Sequence, residues 1–131
     1  MQLVLGLRGE RELVVSPDHL SSATGNFGSD VLSTHEVVLL MELAAREAVQ
    51  GLLPDGMITV GTRVNIRHMA AAPLGARVLA RACLLEVKGR RLRFYVEAAH
   101  RYETLARGEN EQLIIRRDAF LERVRRKSVE A

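Results

Sequence analysis

Three polar residues stand where their surroundings do not favour them. Glu42 lies inside the apolar run VVLLMELAA, residues 37–45. A carboxylate among such neighbours must find an ionic partner or hydrogen bonds, because burying it alone is costly. Arg46, four residues on, could supply an ion pair on one helix face. A carboxylate in this setting could also attack an acyl group or activate water. His68 closes an alternating run in which Ile58, Val60, Val64 and Ile66 share one face. A histidine at that place is either a hydrogen-bonded structural residue or a proton carrier, and an inward carboxylate nearby favours the second role. Thr34 follows Ser33 at a helix start, where free N–H groups and the helix dipole favour a developing oxyanion. It precedes Glu42 by eight residues. On a helix that is about 12 Å along the axis and a rotation of roughly 80°, so both side chains can face one substrate.

Other groupings are weaker. His35 and Glu36 lack the spacing of a metal site, and His19 and His100 have no paired ligands near them in sequence. No metal is therefore expected. Gly25, Gly28 and Gly61 form no phosphate-binding loop, and there is no Gly-x-Ser-x-Gly elbow of a serine hydrolase.

The elements that must position these residues can be read from periodicity. Glu10 to Val15 reads as a strand, followed by a loop over Ser16 to Asp30 with a helical turn near His19 to Ala23. Ser33 and Glu36 have capping-box spacing. Val37, Leu40, Met41, Ala44, Ala45 and Ala48 then recur at the helical period, and Gly51 and Pro54 stop the helix near Gln50. From Met57 the period becomes two. Strands are expected over Met57 to His68, Ala76 to Val87, Arg91 to Tyr102 and Leu105 to Ile115, with Lys88-Gly89-Arg90 as a hairpin turn. In the fourth strand Leu92, Phe94, Val96 and Ala98 face in. Asp118 is placed to cap a short helix, Ala119 to Arg126. Such a sheet needs its apolar face covered, and the one long helix is the only candidate. The expected fold is therefore α+β: an antiparallel five- or six-stranded sheet wrapped around one long helix, the hot-dog arrangement, with a short C-terminal helix.

Composition bounds the function. The chain has 131 residues, which suits a single domain over 1–131, and 47% of them are hydrophobic. The longest apolar stretch is too short to cross a bilayer, so no membrane role is expected. Cys83 is the only cysteine, which excludes an intrachain disulfide and points to a reducing cytoplasm. The net charge is +3, carried almost wholly by arginine, with Lys88 and Lys127 the only lysines. Arginines can meet the phosphates of a nucleotide-type group. No zinc-finger spacing, aromatic RNA-binding motif or long basic arm supports nucleic-acid binding.

The stretches VLSTHEVVLLMELAARE, VGTRVNIRHMAAAPLG and VKGRRLRFYVEAAH resemble the fluoroacetyl-CoA thioesterase family over roughly Glu10 to Lys127. Thr-x7-Glu on the helix and His-x4-Pro-x-Gly at the end of the next strand carry the likeness. The resemblance implies hydrolysis of a small or medium acyl-CoA to free acid and CoA, with no cofactor beyond the CoA of the substrate. It implies a catalytic set of Thr34, Glu42 and His68, with the Gly61 backbone near the thioester carbonyl. It also implies a homodimer, or an oligomer of such dimers, with residues of both protomers lining each site. Two departures concern specificity. Gln112 stands where the fluoroacetyl-specific enzyme has an arginine. The loop that forms part of the acyl pocket is shorter here, with Phe27 its only aromatic. The substrate-binding candidates are thus Gly61, Phe27 and Gln112, and fluoroacetyl specificity does not carry over.

Two other functions suit the same fold. One is a module that binds acyl-CoA without turnover. The other is an enoyl-CoA hydratase, since Asp30 and His35 have the Asp-x4-His spacing of that class, although the Asn-Pro between them is missing.

Overall fold

The computed structural model describes residues 2–130. β1 (Arg8–Val14) leads through two 3-10 turns, Pro17–His19 and Ser21–Thr24, to α1 (Thr34–Gln50). Then come β2 (Met57–His68), β3 (Arg77–Lys88), β4 (Arg91–His100), β5 (Glu103–Arg116) and α2 (Arg117–Glu130). The strands form one sheet in the order β1-β3-β4-β5-β2. Every pairing is antiparallel. This is the hot-dog fold, with five strands. The sixth is not formed among the described residues. Gly6 and Leu7 instead continue the β1 edge through backbone hydrogen bonds with Leu84.

Helix α1 buries the apolar stripe read from its period, Val37, Leu40, Met41, Ala44, Ala45 and Ala48, together with Val49. These residues pack on the inner faces of β3 and β4, where Val78, Ala80, Ala82, Leu84, Leu92, Phe94, Val96 and Ala98 are buried. Each large side chain of this layer contributes about 1.5–3 kcal/mol through removal from water. The small residues let the layers approach closely. At Gly9 in β1 an added Cβ would lie 2.0 Å from the Ala44 carbonyl oxygen and 2.7 Å from the Ala48 nitrogen. Strand and helix backbones are in direct contact there.

In β2 the sequence expectation needs correction. Gly61 pairs with Gln112 but Arg63 pairs with Glu111, so Thr62 is an extra residue in the strand. Such a bulge reverses which side chains face each way beyond it. Before the bulge the helix-facing residues are Thr59, which is buried, and Gly61; after it they are Val64, Ile66 and His68, opposite Asn110, Gly108 and Ala106. Ile58 and Val60 therefore lie on the outer face, and the single stripe from Ile58 to His68 is broken in the middle.

Boundaries and caps also change: the strands expected from Glu10, Ala76 and Leu105 run over Arg8–Val14, Arg77–Lys88 and Glu103–Arg116. β4 ends at His100, and Arg101, at φ 55°, turns the chain into β5. Helix α2 begins at Arg117, which puts Asp118 in its first turn and not at the cap. Ser33 is the N-cap residue of α1, but its hydroxyl makes no capping bond, so the Ser33–Glu36 capping box is not formed. The segment before α1 is held instead by backbone bonds, Leu32 N–H to the Ala72 carbonyl and Ser33 N–H to the His19 carbonyl. They tie it to its neighbours as short bridged strand, which leaves the Ser33 hydroxyl buried without a partner. Among the described residues no helix is long and apolar enough to cross a membrane.

Candidate active site

Two polar clusters lie between α1 and the sheet. The first is at the start of α1, where Thr34 Oγ1 and His68 Nδ1 are 2.8 Å apart. Thr34 comes from the first helical residue and His68 from the last residue of β2. The other imidazole nitrogen of His68, Nε2, is buried and has no partner. Hydroxyl and imidazole thus form a hydrogen-bonded pair at a helix N-terminus, where the backbone N–H groups favour negative charge.

The second cluster surrounds Glu42, two turns further along α1. Its side chain is 23% exposed, and Arg46 Nη2 lies 3.5 Å from Oε2, one helical turn on. The helix-surface ion pair is therefore present, but it is not the only partner. Asn110 Nδ2 donates to Glu42 Oε1 at 3.1 Å. Gln112 Nε2 donates to the Glu42 backbone carbonyl at 3.3 Å and to Asn110 Oδ1 at 2.8 Å. Gly61 completes the cradle. A Cβ added there would come within 2.4 Å of Glu42 Oε1, so the carboxylate occupies space that any other residue would fill.

The sequence candidates are therefore divided. Thr34 and His68 meet, and Glu42 meets Gly61 and Gln112. The two groups sit about 12 Å apart along the helix axis, and no hydrogen bond links them among the described residues. Gln112 is fully buried, with its amide nitrogen committed to Glu42 and Asn110. It stands behind the site, not on its surface. Phe27 belongs to neither group and is 84% exposed on the loop before α1. Asp30 and His35, the pair a hydratase would need, are both exposed, and His35 Nε2 lies 3.5 Å from Glu36.

Sequence reasoning missed Asn110. It sits between Glu109 and Glu111 in a charged stretch that resembles a solvated face. The available signal was parity, because Asn110 shares its face with Gln112 and Ile114.

The comparisons with known proteins agree with this fold. The model of the family described as fluoroacetyl-CoA-specific thioesterase matches residues 15–118. The chain belongs to this family. The fluoroacetyl-CoA thioesterase of Streptantibioticus cattleyicolor is 32% identical over 130 residues, covering 95% of this chain and 94% of that one. A solved structure of the fluoroacetyl-CoA thioesterase superposes with a TM-score of 0.90 at 29% identity, covering 97% of this chain and 98% of its own. A Thermus thermophilus protein described as a thioesterase superfamily member superposes with a TM-score of 0.87 at 26% identity, covering 99% and 98%.

Proposed function

We propose that this protein hydrolyses a small or medium acyl-CoA to free acid and CoA, at sites shared between two copies of the chain. The observation that carries the reading is the placement of both polar clusters on one face of the edge strand β2, seven residues apart. Thr34–His68 lies at the end of that strand and Glu42–Gly61 near its middle. An unpaired strand edge is a template for another strand. Antiparallel pairing of two β2 edges about a dyad near Val64 sets the Gly61 end of each copy beside the His68 end of the other. Each dimer then holds two composite sites. Further association of dimers is compatible with this arrangement.

In each site Thr34 Oγ1 accepts from His68 Nδ1 and directs its own proton to the thioester carbonyl oxygen, assisted by helix N–H groups and the Gly61 backbone. Glu42 attacks the carbonyl carbon to give a mixed anhydride that water opens, or draws a proton from water that attacks directly. The C–S bond breaks in either route, and the thiolate leaves as CoA after taking, through His68, a proton of the water consumed. Water is the only co-reactant, and CoA enters as part of the substrate. Phe27, carried on an exposed loop, covers the acyl group. With Gln112 in place of the family arginine, fluoroacetyl-CoA is not the assigned substrate. The CoA ester and the lone thiol Cys83 support a cytoplasmic reaction.

Thiol release from a panel of acyl-CoAs tests the reading. Glu42→Gln and His68→Ala should each lower kcat/KM by on the order of 10²-fold or more, as expected for loss of a base or proton carrier. Near-normal turnover in either variant removes that residue from the scheme. Mixing the two inactive variants under subunit exchange tests the shared site. Half the dimers become mixed, each with one intact site of two, so about a quarter of wild-type activity should return. No return of activity would place all three groups in one protomer. Tight CoA-ester binding with no thiol release by wild type would leave the non-catalytic module as the function.

A further inference from the structure

We propose that Asn110 is a positioning residue that aims the Glu42 carboxylate, and that Gln112 locks the Asn110 amide in the orientation required. The inference rests on Glu42 being the reacting carboxylate. It goes further by assigning the groups that hold that carboxylate in place.

The hydrogen bonds form a closed circuit that starts and ends on Glu42. The backbone carbonyl of Glu42 can only accept, so the Gln112 atom facing it must be the NH2 group. That same NH2 group faces Asn110 at 2.8 Å, so the Asn110 atom there must be its oxygen. The other end of the Asn110 amide is then its NH2 group, which meets Glu42 Oε1 at 3.1 Å. One helix carbonyl thus sets two side-chain amides in turn and returns a donor to the carboxylate of the same residue. Both amides are buried, at 2% and 0% exposure, so water does not compete for these bonds. β5 supplies the spacing, because Asn110 and Gln112 are two apart and share its helix-facing side.

The circuit leaves Glu42 little rotational freedom. Oε1 is held between Asn110 and the bare backbone of Gly61, and Oε2 lies toward Arg46. A nucleophile or base fixed in this way meets the reacting atoms without first being ordered. The neutral Gln112 amide adds no charge beside Glu42.

The test is steady-state thiol release by Asn110→Ala, Asn110→Asp, Gln112→Leu and the Asn110→Asp/Gln112→Leu double variant. Thermal unfolding and Glu42→Gln serve as controls. Asn110→Asp keeps the volume while replacing the donor with a carboxylate, so it separates aiming from packing. Loss of one hydrogen bond to a charged group should lower kcat roughly 10- to 100-fold in both Asn110 variants. KM should stay within about two-fold, because Asn110 touches the carboxylate and not the substrate. Gln112→Leu should lower kcat less, since Asn110 is then free to turn over. The double variant should fall no further than Asn110→Asp alone, because both residues act on one group.

A folded Asn110→Asp enzyme with wild-type kcat would overturn the proposal. So would a loss confined to KM, or losses that simply add in the double variant. If Glu42→Gln itself keeps full turnover, the reading of Glu42 fails and this inference falls with it. If Glu42→Gln is inactive while the Asn110 variants work normally, only the positioning role is lost.

Discussion

Glu42 fills the space above Gly61 that a side chain would occupy, and this contact separates reactivity from stability at one position. In Gly61→Ala the new methyl group meets the far end of a flexible side chain, not backbone. The chain should therefore still fold, with a melting temperature lowered only by the loss of the Asn110 hydrogen bond, while the carboxylate swings out of register. We expect kcat/KM to fall by about 10²-fold, as for other losses of an aligned catalytic group, and thiol release measured beside thermal unfolding checks it. A stable Gly61→Ala enzyme with full activity would show that the position of Oε1 is unimportant. At this scale much of the site was legible. A carboxylate in an apolar run and a histidine on a strand are conspicuous because burial makes them costly. Asn110 was not legible, because a neutral amide between two glutamates violates no pattern. Its meaning comes only from the strand that pairs with it.

Helix α1 and the strands around it end within about two residues of where periodicity puts them, since apolar periodicity reports burial directly. The errors arose where side-chain pattern and backbone hydrogen bonding compete. Ser33 and Glu36 have capping-box spacing, yet backbone bonds to His19 and Ala72 hold the preceding segment and decide where Ser33 lies. The bulge at Thr62 changes no residue type and so leaves no trace in the alternation of apolar residues. Gly9 was likewise unmarked, as its importance depends on how closely β1 crosses α1. An added Cβ there meets helix backbone, which cannot move aside as a side chain can. Gly9→Ala should destabilise the protein by about 1–3 kcal/mol, as overpacking of a close contact does, with the urea midpoint as the measure. An unchanged midpoint would mean that β1 shifts away from the helix at little cost.

The whole molecule presents β2 as a bare edge 12 residues long, with Val64 near its middle 46% exposed. Two copies meeting there bring their Val64 residues close to the dyad. Val64→Glu would then set like charges against each other, which opposes pairing, while a single chain loses little because the residue is already half in solvent. Sedimentation should show the wild type as a dimer and Val64→Glu shifted toward monomer, with thiol release falling in step. A Val64→Glu protein that stays dimeric would move the interface off this edge. No periodicity argument reveals such a surface, because an exposed valine in one chain looks like any other.

The extra residue at Thr62 also has a consequence for inheritance. Gly61 and His68 are separated by an odd number of positions, yet both look toward the helix, and only the bulge reconciles the two. An in-frame loss of a single codon in this stretch would preserve every other letter of the message and the overall composition. It would still turn the histidine to the far side of the sheet. In any lineage carrying this strand, drift by substitution is therefore far safer than drift by length, and a one-residue gap between the glycine and the histidine marks a descendant that has left this chemistry.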